Sequence, residues 1–148
     1  MEVLRSWIEN AWDDRSILQD EKVKEFVESV IELLDQGKIR VAEKINGEWV
    51  THEWIKKAVL LYFAIMPMEE MQAGPMHFYD RIPLKKNFKD LGVRVIPHGI
   101  ARYGSYLGKG VILLPSYVNI GAYVDEGSLV DTWATVGSCA QIGKNVHL

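Results

Sequence analysis

Apolar side chains in the first third of the chain follow helical spacing. Val3, Leu4, Trp7, Ile8, Ala11 and Trp12 recur at three and four residues, so they share one face. Val23, Phe26, Val27, Val30, Ile31 and Leu34 do the same, and Gly37 stands where a left-handed glycine ends such a helix. The pattern then becomes that of a hairpin. Ile39–Ile45 and Glu48–Thr51 flank Asn46-Gly47, the pair favoured in a type I′ turn. Thr51 is placed to cap a third helix, Trp54–Ile65, which Pro67 ends. Residues 67–92 show no clean period. Met66, Met68, Met71 and Met76 lie among Pro, Gly and charged residues, which predicts an irregular connector packed against the rest.

From residue 100 a six-residue period takes over. Ile100, Tyr106, Ile112, Val118, Val124, Val130, Val136, Ile142 and Leu148 recur without a miss. Four residues after each of the first eight comes a small or compact residue: Gly104, Gly110, Ser116, Ala122, Ser128, Ala134, Ala140 and Val146. Neither a helical stripe nor strand alternation has this period, and a repeat of this kind decides the architecture. The physical solution is a triangular prism. Each hexad is a short strand and a bend, three hexads make a coil, and strands of successive coils pair in parallel about 4.8 Å apart. Residues eighteen apart then stack. Ile100, Val118 and Val136 line one inner face, Tyr106, Val124 and Ile142 the second, Ile112, Val130 and Leu148 the third. Tyr106 is the bulkiest inward residue of this arrangement, and Asp131, just after inward Val130, points out of the prism above Leu113.

The expected fold is an α+β N-terminal domain followed by the first coils of a parallel β-helix. Residues 1–66 form the helical domain with its β-hairpin, 67–99 a connector, and 100–148 the prism. A new hexad opens at Leu148, so the β-helix is expected to be truncated in mid-coil. An open coil exposes unpaired backbone and an apolar interior, and no residues are available to cap it. The 148 residues are therefore expected to be part of a longer protein.

Composition narrows the function classes. With 48% hydrophobic and 25% charged residues the chain can build a real core, and its net charge of −3 offers no electrostatic footprint for nucleic acid. The lone Cys139 excludes a disulfide framework and fits a reducing compartment. The apolar run Ala58–Met68 falls short of the ~18 residues of a bilayer span, and the N-terminus does not read as a signal peptide. A cytoplasmic protein without a membrane partner is expected. His52, His77, His98 and His147 lack metal-ligand spacing, so no metal is expected. Cys139 reads as a packing residue near a corner. Outward Trp133 reads first as a subunit contact and second as a substrate wall.

The outward residues of the prism carry a family resemblance. Leu114–His147, with Val130-Asp131-Thr132-Trp133 at its centre, closely resembles the tetrahydrodipicolinate N-succinyltransferases, as do Arg40–His52 and Lys56–Leu61. The resemblance covers the whole chain and is weakest over 67–92. It implies a left-handed β-helix, an exception to right-handed crossovers, and a homotrimer with active sites between neighbouring prisms. It implies transfer of succinyl from succinyl-CoA to the nitrogen of ring-opened tetrahydrodipicolinate, in lysine and diaminopimelate synthesis, with no bound cofactor. It also implies substrate contact by Arg94, in Gly92-Val93-Arg94, and by Asp131. The residue types suit that chemistry. An arginine fork matches a carboxylate of the acceptor. An aspartate can accept the amine proton as catalytic base if burial raises its pKa, and backbone N–H groups along a prism edge can receive the thioester oxygen. The cations of the prism are Arg102, Lys109 and Lys144, so the CoA site is expected mostly beyond Leu148 and these residues alone are expected to be inactive. Two alternatives stay open: another hexapeptide-repeat enzyme, such as an acetyl-CoA-dependent transferase, and a trimerising scaffold without activity. A prism carbonic anhydrase would need clustered histidines that the hexads lack.

Overall fold

A computed structural model describes all 148 residues, Met1–Leu148. Three helices form where the spacing places them: α1 (Glu2–Asp13), α2 (Glu21–Asp35) and α3 (Glu53–Ile65). α1 buries Ile8 and Ala11, α2 buries Val23, Val27, Val30, Ile31 and Leu34, and α3 covers both with Trp54, Ile55, Ala58, Val59, Leu61 and Tyr62. The end of α2 closes as the sequence requires. Gly37 takes φ 69°, its N–H donates to Leu34, and the N–H of Lys38 donates to Leu33, the pair of bonds that satisfies the last carbonyls of a helix.

β1 (Ala42–Ile45) and β2 (Glu48–Thr51) pair antiparallel around Asn46 and Gly47, both with positive φ. The first strand is shorter than the apolar run suggests. Thr51 does not cap α3. It pairs with Ala42 as the last residue of β2, and His52 occupies the N-cap position, its ring bonded to Glu43 at 2.9 Å.

Residues 67–92 are more regular than expected. β3 (Glu69–Ala73) and β4 (Met76–Asp80) form a second antiparallel hairpin, in which Gly74 supplies the positive φ of the first turn position before Pro75. Most of its side chains are exposed on both faces, so no alternation marks these strands in the sequence. A single helical turn follows, α4 (Phe88–Leu91).

The prism is built from two-residue rungs: β5 (Arg94–Val95), β6 (Ile100–Ala101), β7 (Tyr106–Leu107), β8 (Ile112–Leu113), β9 (Tyr117–Val118), β10 (Tyr123–Val124), β11 (Leu129–Val130), β12 (Thr135–Val136) and β13 (Gln141–Ile142). They stack as three parallel sheets, β5-β8-β11, β6-β9-β12 and β7-β10-β13, the faces of a left-handed parallel β-helix. The first rung lies one hexad before Ile100.

The period contains a slip. Val95 pairs with Leu113 eighteen residues on, but Leu113 pairs with Val130, Ala101 with Val118 and Leu107 with Val124, each seventeen on. Eighteen returns with Val118–Val136 and Val124–Ile142. The corner from Leu113 to Val118 is one residue short. Upstream of it the inward side chains are therefore Ala101, Leu107 and Leu113, at 2% exposure or less, and not Ile100, Tyr106 and Ile112. Tyr106 turns outward. It lies against Tyr123, ring centroids 4.5 Å apart, with the Arg40 guanidinium 3.8 Å from the Tyr123 centroid. Its ring fills the space above Gly37, where a Cβ would sit 2.5 Å away. The residue beneath Asp131 is Leu114, since Leu113 lies beneath Val130.

From Ala101 onward, each full corner has a left-handed residue three places after the inward one. Gly104, Gly110, Gly121 and Gly127 serve first, then Trp133 (φ 63°), Cys139 (φ 64°) and Asn145 (φ 54°). Two faces of the prism are covered by the rest of the chain. Arg40 from the helical domain donates to Gln141 at 2.9 Å over the β7-β10-β13 face. The second hairpin lies over β6-β9, tied by an Arg102–Asp80 ion pair at 2.6 Å.

Candidate functional site

The third face, β5-β8-β11, carries the expected site residues. Its outward row is Arg94, Ile112, Leu129 and His147, the last paired to Leu129 by a parallel bridge. Arg94 is exposed and forms no ion pair, and its backbone N–H is fixed to Val111 at 3.0 Å. Ile112 and Leu129 are half-buried between the two polar ends.

Asp131 sits two residues along from Leu129, just outside the buried Val130. Its backbone N–H donates to Leu148 at 3.1 Å. Oδ1 accepts the N–H of Thr132 at 2.6 Å, and Oδ2 lies 2.9 Å from Nε2 of His147. The Asp131 side chain is 44% exposed and that of His147 69%. The side-chain bond to His147 first, and the Thr132 N–H second, hold the Asp131 carboxyl below its ordinary pKa. A base raised by burial would need the opposite shift. The carboxylate is exposed and stays ionised throughout the neutral range.

Arg94 and Asp131 share a face but do not meet. One rung, β8, lies between their strands, so they are two spacings apart, about 10 Å along the prism axis at the parallel-strand spacing. One copy of this face can therefore grip two ends of an extended small molecule, and any wall opposite must come from elsewhere. The apolar recess of about 250 Å³ under the second hairpin, lined by Met71, Phe78, Tyr79 and Tyr117 among others, lies on a different face.

The other sequence candidates take simpler roles. Among the prism cations, Arg102 is engaged by Asp80, and Lys144 by Glu126 at 2.9 Å. Lys109 has no ion-pair partner. Cys139 packs against the helical core, and burial foremost raises its thiol pKa. No group of three His, Cys, Asp or Glu side chains could hold one metal ion. No helix is long and apolar enough to cross a membrane. His147 is the residue that spacing alone passed over. Its signal was available, because an eighteen-residue stack puts position 147 beside Leu129 and diagonal to Asp131.

Comparison with known proteins gives a consistent result. A family model described as Tetrahydrodipicolinate N-succinyltransferase N-terminal matches residues 3–65. A protein of Variovorax paradoxus (strain S110), named 2,3,4,5-tetrahydropyridine-2,6-dicarboxylate N-succinyltransferase, is 53% identical over 98% of this chain and 56% of its own length. Relatives of the same name from Pseudoalteromonas translucida (strain TAC 125) and Sodalis glossinidius (strain morsitans) are 56% and 51% identical. They match over 82% and 100% of this chain and 48% and 58% of their own length. The chain spans about half the length of the curated relatives it matches.

Proposed function

We propose that this chain, a member of the tetrahydrodipicolinate N-succinyltransferase family that matches its N-terminal part, supplies the acceptor-binding face of a cytoplasmic acyl-CoA-dependent N-acyltransferase. The observation that carries the reading is the β5-β8-β11 face, with an unpaired arginine at one end and an ionised carboxylate at the other. Arg94 offers two parallel N–H donors to a carboxylate of a dicarboxylic acceptor. Asp131 acts at the acceptor's amine end, where a fixed negative charge orients the N–H bonds and stabilises positive charge as the nitrogen attacks. The half-buried Ile112 and Leu129 between them suit an aliphatic chain. The donor in this reading is succinyl-CoA, after the relatives' name.

Of the prism cations, Arg102 and Lys144 are already in ion pairs and Arg94 is assigned to the acceptor, which leaves Lys109. We therefore place the CoA groove mostly in the part of the relatives that this chain does not span. The test is a thiol-release assay of the full-length protein with ring-opened tetrahydrodipicolinate. Release with succinyl-CoA, and at least tenfold less with acetyl-CoA, is the expected result. Release only with acetyl-CoA would assign a different transferase, and none with either donor would leave the scaffold reading.

The uncovered face also supports assembly as a homotrimer. Trp133, at the corner next to Asp131, is 81% exposed and holds φ 63°. A bulky residue in that conformation costs about 1–2 kcal/mol relative to glycine, and large aromatics of this kind anchor interfaces. Trp133→Gly is expected to stabilise the isolated subunit by about 1 kcal/mol while shifting sedimentation from trimer toward monomer. Unchanged self-association would remove Trp133 from the interface.

A further inference from the structure

We propose that His147 is the proton acceptor of the acyl-transfer step and that Asp131 orients it. The inference rests on the functional reading above and assigns a division of labour within the same face.

The geometry separates the two roles. Both oxygens of Asp131 are occupied, one by the Thr132 N–H and one by the His147 ring. A carboxylate so engaged is ionised and a poor acceptor for an amine proton, and its shift below the ordinary value says the same. The imidazole is bonded through Nε2, so Nδ1 is the ring nitrogen left to take a proton. Nε2–H donating to Asp131 fixes the tautomer in which Nδ1 carries the lone pair. This is the logic by which a buried or fixed carboxylate prepares a histidine base. His147 also occupies the same outward row as Arg94, so the acceptor's anchored end and the base face the same side. The side-chain contact to the ring comes from Asp131, and the neighbouring charged pair, Lys144–Glu126, is engaged with itself.

The acceptor amine forms a C–N bond to the thioester carbonyl carbon, and the carbonyl π pair moves to oxygen. The ammonium-like nitrogen loses its proton to Nδ1 of His147, giving an imidazolium held by the Asp131 carboxylate. The oxyanion pair reforms C=O, the C–S bond breaks, and the CoA thiolate leaves with the electron pair. The proton on Nδ1 passes to that sulfur, which regenerates the neutral ring and releases free thiol and amide.

The experiment measures kcat and KM of the full-length protein with its acyl-CoA and acceptor between about pH 5.5 and 9, for wild type, His147→Gln and Arg94→Lys. Thermal unfolding checks that His147→Gln folds. The expected result for His147→Gln is a fall in kcat of about 10²-fold or more, with acceptor KM within about threefold and the acid limb of kcat/KM abolished. Arg94→Lys should instead raise acceptor KM and keep the limb. His147→Gln with wild-type kcat and an unchanged pH profile overturns the proposal while leaving the transferase reading in place. No acyl transfer by the wild-type protein overturns that reading and the role of His147 together.

Discussion

Asp131→Asn is expected to lower turnover by about 10²- to 10⁴-fold with the folding midpoint unchanged. Asparagine keeps the shape and can still accept the Thr132 N–H that Oδ1 accepts at 2.6 Å. It cannot place a negative charge beside Nε2 of His147, 2.9 Å away. The ring then loses the partner that fixes its tautomer and that stabilises its charged form. The carboxylate is 44% exposed, so its removal creates no buried void. Activity should fall while stability holds, and turnover near the wild-type value would remove Asp131 from the chemistry.

The second large effect concerns stability. Asp35, the last residue of α2, accepts from Nζ of Lys85 at 2.7 Å and from the N–H of Gly104 at 2.9 Å. One carboxylate thus joins the helical domain, the segment after the second hairpin and the first corner of the prism. The Lys85 side chain is 3% exposed, and its Nζ also donates to the Asp35 carbonyl at 3.1 Å. Asp35→Ala strands that ammonium, and the loss is expected to reach about 3–5 kcal/mol in a urea titration. Adding Lys85→Met should recover a substantial part, because the stranded charge is gone. Equal effects of the single and double substitutions would contradict this account.

Burial foremost pushes the Lys85 ammonium below its ordinary pKa, and the Asp35 bond and charge oppose the shift. The sign of the pH effect follows. Between the folded and the ordinary value the unfolded chain binds more protons at this group, so the Lys85 contribution to stability rises with pH in the window just under 10.5. The difference between the stability–pH curves of the wild type and Lys85→Met should show that rise.

Much of this was legible in the sequence, and the failures have physical causes. The three helices could be read because each presents a continuous apolar stripe to one core. Asn46-Gly47 could be read because few pairs tolerate two positive φ angles in succession. The second hairpin escaped notice because its strands are exposed on both sides and lack alternation. The prism was found but its phase was misread upstream of the short corner. Ile100-Ala101, Tyr106-Leu107 and Ile112-Leu113 offer two adjacent apolar candidates per rung, and the period alone cannot choose between them. Pairing across the Leu113–Val118 corner chooses, which is a tertiary fact. Arg94 and Asp131 came from the family resemblance, and the fold places both on one face. The partner that bonds Asp131 escaped the sequence reading because it lies sixteen residues away and meets it only once the coil closes.

A structure of the full-length protein soaked with an amine-bearing dicarboxylate acceptor analogue is the most direct test. The expected density has one carboxylate clasped by the Arg94 guanidinium and the amine end within hydrogen-bond reach of Asp131 and His147. An acceptor seated under the second hairpin, or on either covered face with Arg94 left bare, would contradict the account.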